Sequence, residues 1–311
     1  MSLTSGFGVI MTCTAAYAPF LVASAATLRR HNTTTPVVVV SDPTGVERVA
    51  PVADRLGIEL VRAEPRWMET VRSPDGEAER IRSRLMKIES LAAASFDPVL
   101  YLDCDTIVRD DIAKIVDELG PALANGADMF SLLHRPVAPT LWGDRRLYFP
   151  DAEISRVEVV RRIGDIYAVD LAAVGLDQIV CWNSGIIMGR RDAMRRIGGR
   201  WLELYRRMLA SPHREQIIPR DQLGFWLSLW ERRDQVRVAE MPVRWNFMAA
   251  QLLGLPPGAD DLDEAAIDGA AILHLAGYKF DPWAVRRVQP VLAALPEAPA
   301  LRLPSGRPPV W

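Results

Sequence analysis

Short apolar runs and longer mixed stretches take turns along the first hundred residues. The runs at 7–12, 37–40, 58–61 and 98–102 have strand length. The one at 37–40 is four valines and lacks a polar face, which suits a strand buried on both sides. Between them, 17–30, 44–56 and 79–95 read as helices. The first carries Arg29 and Arg30 at its C-terminal end, where cations favour the helix dipole, and the second ends at Gly57. This alternation calls for an α/β fold with a mainly parallel central sheet flanked by helices on both faces.

Beyond residue 102 the rhythm loosens. We expect helices at 110–119, 190–209 and 221–230, and strands at 127–133, 179–188, 236–239 and 271–275. A last helix at 282–295 contains Pro290, which is expected to kink it or cut it short. The stretch 134–177, rich in proline, glycine and aromatic residues, has no clear period. The final segment, 296–311, holds five prolines and reads as a surface tail. With no internal repeat and no dividing linker, we expect one domain over 1–295, with a nucleotide-binding half at 1–133 and an acceptor-side half at 134–295.

Composition narrows the class of protein. Across 311 residues the net charge is −2, with 37 cationic and 39 acidic residues, so a clustered basic surface for nucleic acid is not expected. Hydrophobic residues make up 49% and charged residues 24%, which excludes a disordered or fibrous chain. Of the cations only Lys87, Lys114 and Lys279 are lysine, so a lysine in a suggestive place is informative. Cys13, Cys104 and Cys181 are odd in number and lack CxxC spacing, which fits a reducing cytoplasm better than a disulfide framework or a zinc knuckle. The uncharged stretch 1–28 has no basic n-region and is interrupted by Pro19, so it reads as a buried strand and helix rather than a signal peptide or an integral membrane segment.

The segment Val99-Leu100-Tyr101-Leu102-Asp103-Cys104-Asp105-Thr106 carries the most chemistry. Side chains alternate in extended backbone, so Asp103 and Asp105 point the same way from the carboxyl end of a strand, where ligands bind in α/β sheets. Two carboxylates side by side repel, and one has a raised pKa unless a hard divalent metal joins them. Such a pair serves two kinds of enzyme. In haloacid-dehalogenase-like phosphohydrolases the first aspartate attacks phosphorus; in metal-dependent glycosyltransferases the pair holds an ion on a nucleotide diphosphate. The pair alone leaves both open.

Six segments, in order from about residue 9 to 283, resemble the retaining family 8 glycosyltransferases of the GT-A fold. They are Met11-Thr12-Cys13-Thr14-Ala15-Ala16-Tyr17, Arg84-Leu85, Tyr101-Leu102-Asp103-Cys104-Asp105, Trp182-Asn183-Ser184-Gly185, Asp221-Gln222, and His274-Leu275-Ala276-Gly277-Tyr278-Lys279-Phe280-Asp281-Pro282-Trp283. Two features depart from the family. Thr14-Ala15-Ala16 replaces an aspartate-bearing turn at the base, and Lys279 follows His274 by five residues rather than six. The phosphohydrolase alternative fits poorly, because its motif usually lies near the N-terminus and its late acidic pair could only be Asp260-Asp261, which no strand precedes.

The resemblance implies a metal-dependent, retaining glycosyltransferase that moves a hexose from a nucleotide-sugar donor, with a uracil-type base, to an unknown acceptor hydroxyl. It implies metal ligation by Asp103, Asp105 and His274, with Mn²⁺ favoured by the imidazole and Mg²⁺ as the alternative. Gln222, Asp221 and Lys279 are the implied catalytic residues, and Tyr17, Thr12, Thr14, Arg84, Asn183, Ser184, Gly277 and Lys279 the implied substrate contacts. The residues by themselves leave other readings open. A histidine at a strand end is commonly a structural hydrogen-bonder, Asp221 could simply favour a helix N-terminus, and Tyr17 could be core. Lys87 could be solvated, and Trp245-Asn246, Trp226 and Trp230 read as core or as walls of an acceptor cleft. A sugar-nucleotide-binding protein with little catalysis also stays open, as does a homo-oligomer.

Overall fold

The computed structural model describes residues 6–64, 77–133, 140–143, 145, 149, 153–171, 175–217, 221–256, 258–295, 301 and 303. Most of the expected loop at 62–76 and of the tail at 296–311 lies outside them. The chain begins with β1 (Gly8–Cys13), α1 (Ala18–His31), β2 (Val37–Ser41), α2 (Pro43–Ala53), β3 (Ile58–Arg62), α3 (Glu77–Ala92) and β4 (Val99–Asp103). It continues through β5 (Thr106–Val108), α4 (Lys114–Ala124), β6 (Met129–Leu133), α5 (Arg156–Tyr167), β7 (Trp182–Gly189), α6 (Arg191–Ala210) and α7 (Asp221–Glu231). Last come β8 (Val238–Glu240), β9 (Phe247–Met248), α8 (Ala249–Leu252), β10 (Ile272–His274) and α9 (Pro282–Ala293).

Seven strands form the main sheet in the order β3-β2-β1-β4-β7-β6-β8. β1 pairs parallel with β2 and β4, β2 with β3, and β6 with β8; β7 alone runs against its neighbours β4 and β6. The mainly parallel sheet expected from the sequence is therefore present, with one reversed strand in its middle. A second sheet, β5-β10-β9, stands beside it.

Alternation along each strand divides the core in two. Val9, Met11, Leu100 and Leu102 face α1, α2, α4 and α9, while Ile10, Val99 and Tyr101 face α3, α5, α6 and α7. The stretch at 1–28 is thereby explained as far as it is described: β1 is buried along its length and α1 is buried from Ala18 to Leu28. Among the described residues no helix is long and apolar enough to cross a membrane.

Three expectations need correction. Pro290 lies inside α9 without ending it. Its ring removes the amide that would bond the Arg286 carbonyl and crowds that carbonyl, and the buried face of α9 carries the helix through that loss to Ala293. The unassigned stretch contains α5, opened by Ser155, whose hydroxyl accepts a hydrogen bond from the Glu158 amide. The Ser155-Arg156-Val157-Glu158 pattern is the capping-box spacing, so the start signal was present. The tail is not wholly a surface element either: Leu301 is buried in the core and Leu303 packs against it.

α6 crosses α3 so closely at Gly198 that a Cβ there would lie 2.5 Å from the Ala92 backbone nitrogen. An ordinary helical Gly→Ala change stabilises by ~1 kcal/mol, whereas overpacking a rigid contact costs ~1–3 kcal/mol. Gly198→Ala is therefore expected to destabilise the protein, lowering the urea midpoint without changing the slope; a raised midpoint would contradict this helix contact.

Candidate functional site

β1 and β4 end side by side at the carboxyl edge of the main sheet, where Thr12 pairs with Asp103. The chain then turns through Cys104 and Asp105 into β5. Antiparallel pairing sets His274 opposite Thr106, and the Leu275 amide donates to the Asp105 carbonyl at 2.9 Å. This register brings a histidine from the far end of the chain beside the acidic pair. His274 Nε2 lies 3.7 Å from Asp105 Oδ1 and 4.0 Å from Asp103 Oδ2. One ligand atom from each of the three residues falls within 4.8 Å of the others, so the group can hold a metal ion. A Cβ on Gly185 would meet Asp103 Oδ2 at 2.8 Å and His274 Nε2 at 2.8 Å, so only glycine leaves the space between these donors open. Two carboxylates and one imidazole are a donor set suited to a divalent cation of the Mn²⁺ or Mg²⁺ kind.

The two carboxylates are held differently. Asp103 takes Lys87 Nζ across both oxygens, at 3.2 Å from Oδ2 and 3.1 Å from Oδ1, and accepts from the Tyr101 hydroxyl on Oδ1 at 2.9 Å. The Tyr101 oxygen in turn lies 2.9 Å from Thr12 Oγ1. Asp105, nearly buried, accepts from Lys279 Nζ at 2.8 Å. Burial raises the Asp103 pKa; Lys87 opposes this and the charge on Asp105 adds to it. Burial also works against the Asp105 charge, yet Lys279 and His274 outweigh it and hold that carboxyl down at about 2. Burial lowers the His274 pKa against the pull of Asp105 and Asp103, which favours the neutral imidazole that ligates metals.

Around this centre lies a cleft of about 540 Å³. α3 contributes Arg80, Ser83, Arg84 and Lys87, which recur at helical spacing on one face. β7 contributes Asn183, Ser184 and Gly185, α7 contributes Asp221 and Gln222, and the loop after β10 contributes Ala276, Gly277, Lys279 and Phe280. Among the described residues of its walls, four cationic side chains face three carboxylates, a net positive balance. Arg84 Nε lies 3.5 Å from Asp221 Oδ1, and Lys87 Nζ lies 4.0 Å from the other oxygen of that carboxylate. Gln222 Nε2 donates to the Trp182 carbonyl at 3.0 Å. Lys279 also sits 4.6 Å from the centre of the Tyr17 ring, a cation–π contact.

Every expected site residue faces this cleft except Thr14. Thr14 is fully buried, and among the described residues its hydroxyl has no hydrogen-bond partner. Lys87 is not a solvated face residue: it is buried, donates to Asp103 and to Ser184 Oγ at 3.2 Å, and so belongs to the site. Trp226 and Trp245 are core, as one reading had them. Arg80, Ser83, Tyr101 and Phe280 were not singled out as site residues. The first two could have been found from the helical spacing that leads to Arg84 and Lys87. Tyr101 was masked by its place in an apolar strand.

No protein-family model matches the sequence, and no curated protein matches it. Solved structures do match. An active-site glutamine-to-glutamate mutant of LgtC superposes with a TM-score of 0.56 at 16% identity, over 92% of this chain and 95% of that one. The galactosyltransferase LgtC in complex with donor and acceptor sugar analogues matches with a TM-score of 0.56 at 17% identity, over 93% and 96% of the two chains. The apo bifunctional glycosyltransferase WbbM matches with a TM-score of 0.52 at 14% identity, over 95% of this chain and 51% of that one. The chain has the GT-A-type fold of these glycosyltransferases, and its acidic pair and histidine lie at the carboxyl edge of that sheet.

Proposed function

We propose that the protein is a metal-dependent, retaining glycosyltransferase that moves a hexose from a nucleoside diphosphate donor, with a uracil-type base, to an acceptor hydroxyl. The observation that carries this reading is the approach of His274 Nε2 to both Asp103 and Asp105, inside a net positive cleft on a glycosyltransferase fold. Asp103, Asp105 and His274 would hold Mn²⁺, or Mg²⁺ in its place. Such an ion, when bound, neutralises charge on the departing diphosphate. The phosphohydrolase alternative is less well supported, because its late acidic pair, Asp260-Asp261, is not part of the cleft.

Lys279 would meet the diphosphate, a role supported by its amine lying at the cleft wall beside Asp105 and over Tyr17. Tyr17, buried and with Lys279 over its ring, lines the cleft on the side where the resemblance puts the base. Asp221 and Ser184 offer acceptors for sugar hydroxyls, and Arg84 and Lys87 lie within ion-pair distance of the Asp221 carboxylate. Gln222 is the one glutamine on the described cleft wall, which fits the active-site glutamine named for LgtC. The bond between the anomeric carbon and the phosphate oxygen breaks, and the acceptor oxygen bonds to the same face of that carbon. The acceptor proton passes to the departing phosphate oxygen, so no protein carboxylate is needed as a covalent nucleophile.

Asp105→Asn is expected to abolish turnover and Mn²⁺ binding while the circular dichroism spectrum stays native. Full activity of that variant in the presence of a chelator would sink the metal role. Lys279→Ala should lower kcat by ~100-fold or more, the usual cost of removing one stabiliser of developing charge, and should weaken nucleoside diphosphate binding in titration calorimetry. A Lys279→Ala enzyme with unchanged kcat would remove lysine from the mechanism.

A further inference from the structure

A buried amide chain runs behind the metal-ligand group. Asn246, Asn183 and His274 are all buried, Asn246 completely. Asn246 closes the 3₁₀ turn Val243–Trp245 and leads into β9, which pairs parallel with β10 so that Met248 lies opposite His274. The turn is anchored by Trp245, fully buried, whose indole donates to Glu118 Oε2 at 2.7 Å.

Donor and acceptor roles along the chain follow from its first member. The Gly185 amide can only donate, and it lies 2.9 Å from Asn183 Oδ1. That fixes the Asn183 amide with its oxygen toward Gly185, and its nitrogen then faces Met248 Sδ at 3.2 Å, a weak acceptor. The same Asn183 oxygen lies 3.0 Å from Asn246 Nδ2, so Asn246 must present its nitrogen to Asn183 and its oxygen to the other side. There Asn246 Oδ1 lies 2.9 Å from His274 Nδ1. An amide oxygen can only accept, so Nδ1 carries the proton. The bare lone pair is then on Nε2, the atom that faces Asp103 and Asp105.

We propose that Asn246 is a positioning residue that fixes the tautomer and ring orientation of His274, on instruction relayed from the Gly185 amide through Asn183. The proposal rests on the metal reading above for its function, but the wiring stands on geometry alone. It also revises the part of Asn183: the Asn183 oxygen is committed to Gly185 and Asn246, so this residue serves the histidine first and any donor sugar second. The other tautomer would set a lone pair of Nδ1 against the oxygen of the fully buried Asn246.

The test uses the full chain with ¹⁵N-labelled histidine at about pH 8, above the ordinary histidine range, with His274→Gln identifying the resonance. In the metal-free wild type, His274 should give the Nδ1–H signature in long-range ¹⁵N–¹H spectra. Asn246→Leu, which removes the acceptor, should lose that signature and weaken Mn²⁺ binding by ~10–100-fold in calorimetry or electron paramagnetic resonance, the range typical of outer-shell partners. Asn246→Asp keeps an acceptor at Nδ1 and should restore the signature, which a merely structural role would not predict. If Asn246→Leu fails to fold, the wild-type and Asn246→Asp spectra still decide. An Nε2–H signature in the wild type, or an Asn246→Leu protein with both tautomer and Mn²⁺ affinity unchanged, overturns the proposal. A wild type with the expected tautomer that binds no Mn²⁺ overturns the metal reading instead, and this separates the two failures.

Discussion

Repulsion between Asp103 and Asp105 is the constraint around which the site is built. Two carboxylates at one sheet edge cannot both stay ionised and partly buried without cations, because desolvation and mutual repulsion both favour protonation. Each carboxylate is given its own amine: Lys87 on Asp103 and Lys279 on Asp105. These are two of only three lysines in an arginine-dominated chain. An ammonium concentrates its charge at one atom, so it can sit among convergent oxygens where a planar guanidinium needs a broader fork of acceptors. The cations come from different elements, one on α3 and one on the loop after β10, and Gly185 keeps the space between the acids and His274 open.

The small sheet makes this possible. Asp105, Asn246 and His274 are far apart in the chain, and three short strands bring them together through fixed pairings. Strands this short contribute little stability alone. Here they are backed by Trp245 and the core that Ile272 and Leu273 enter, so their register is set by burial. The charges of the site thus depend on apolar packing behind it.

Much of this was legible in the sequence, for physical reasons. Parallel strands buried on both faces leave uninterrupted apolar runs, and the runs at 37–40 and 98–102 marked β2 and β4 almost to the residue. The aspartate pair was legible because alternation in extended backbone is a rigid rule. His274, Lys279 and Asp221 came from short motifs in order. What stayed hidden was whatever depends on contacts across the chain. Lys87 shares its helical face with other polar residues, and nothing local distinguishes a solvated lysine from one drawn to an acid sixteen positions away. Asn246 looked like core, and it is core; its role appears only when β9 sets it behind His274. Thr14 shows the converse, a residue inside a motif whose side chain turns away from the cleft.

The reversed strand β7 bears on how such a chain can change. Because β7 runs opposite to β6, its first residue, Trp182, pairs with Leu133, the last residue of β6. Both ends of the intervening chain therefore emerge at the carboxyl edge of the sheet, where the cleft opens. Length can be added or removed there without shifting either strand's pairing, and loop-closure entropy grows only slowly with length. A lineage carrying this topology can vary a single excursion above the cleft while the acidic pair and the histidine beneath it are kept.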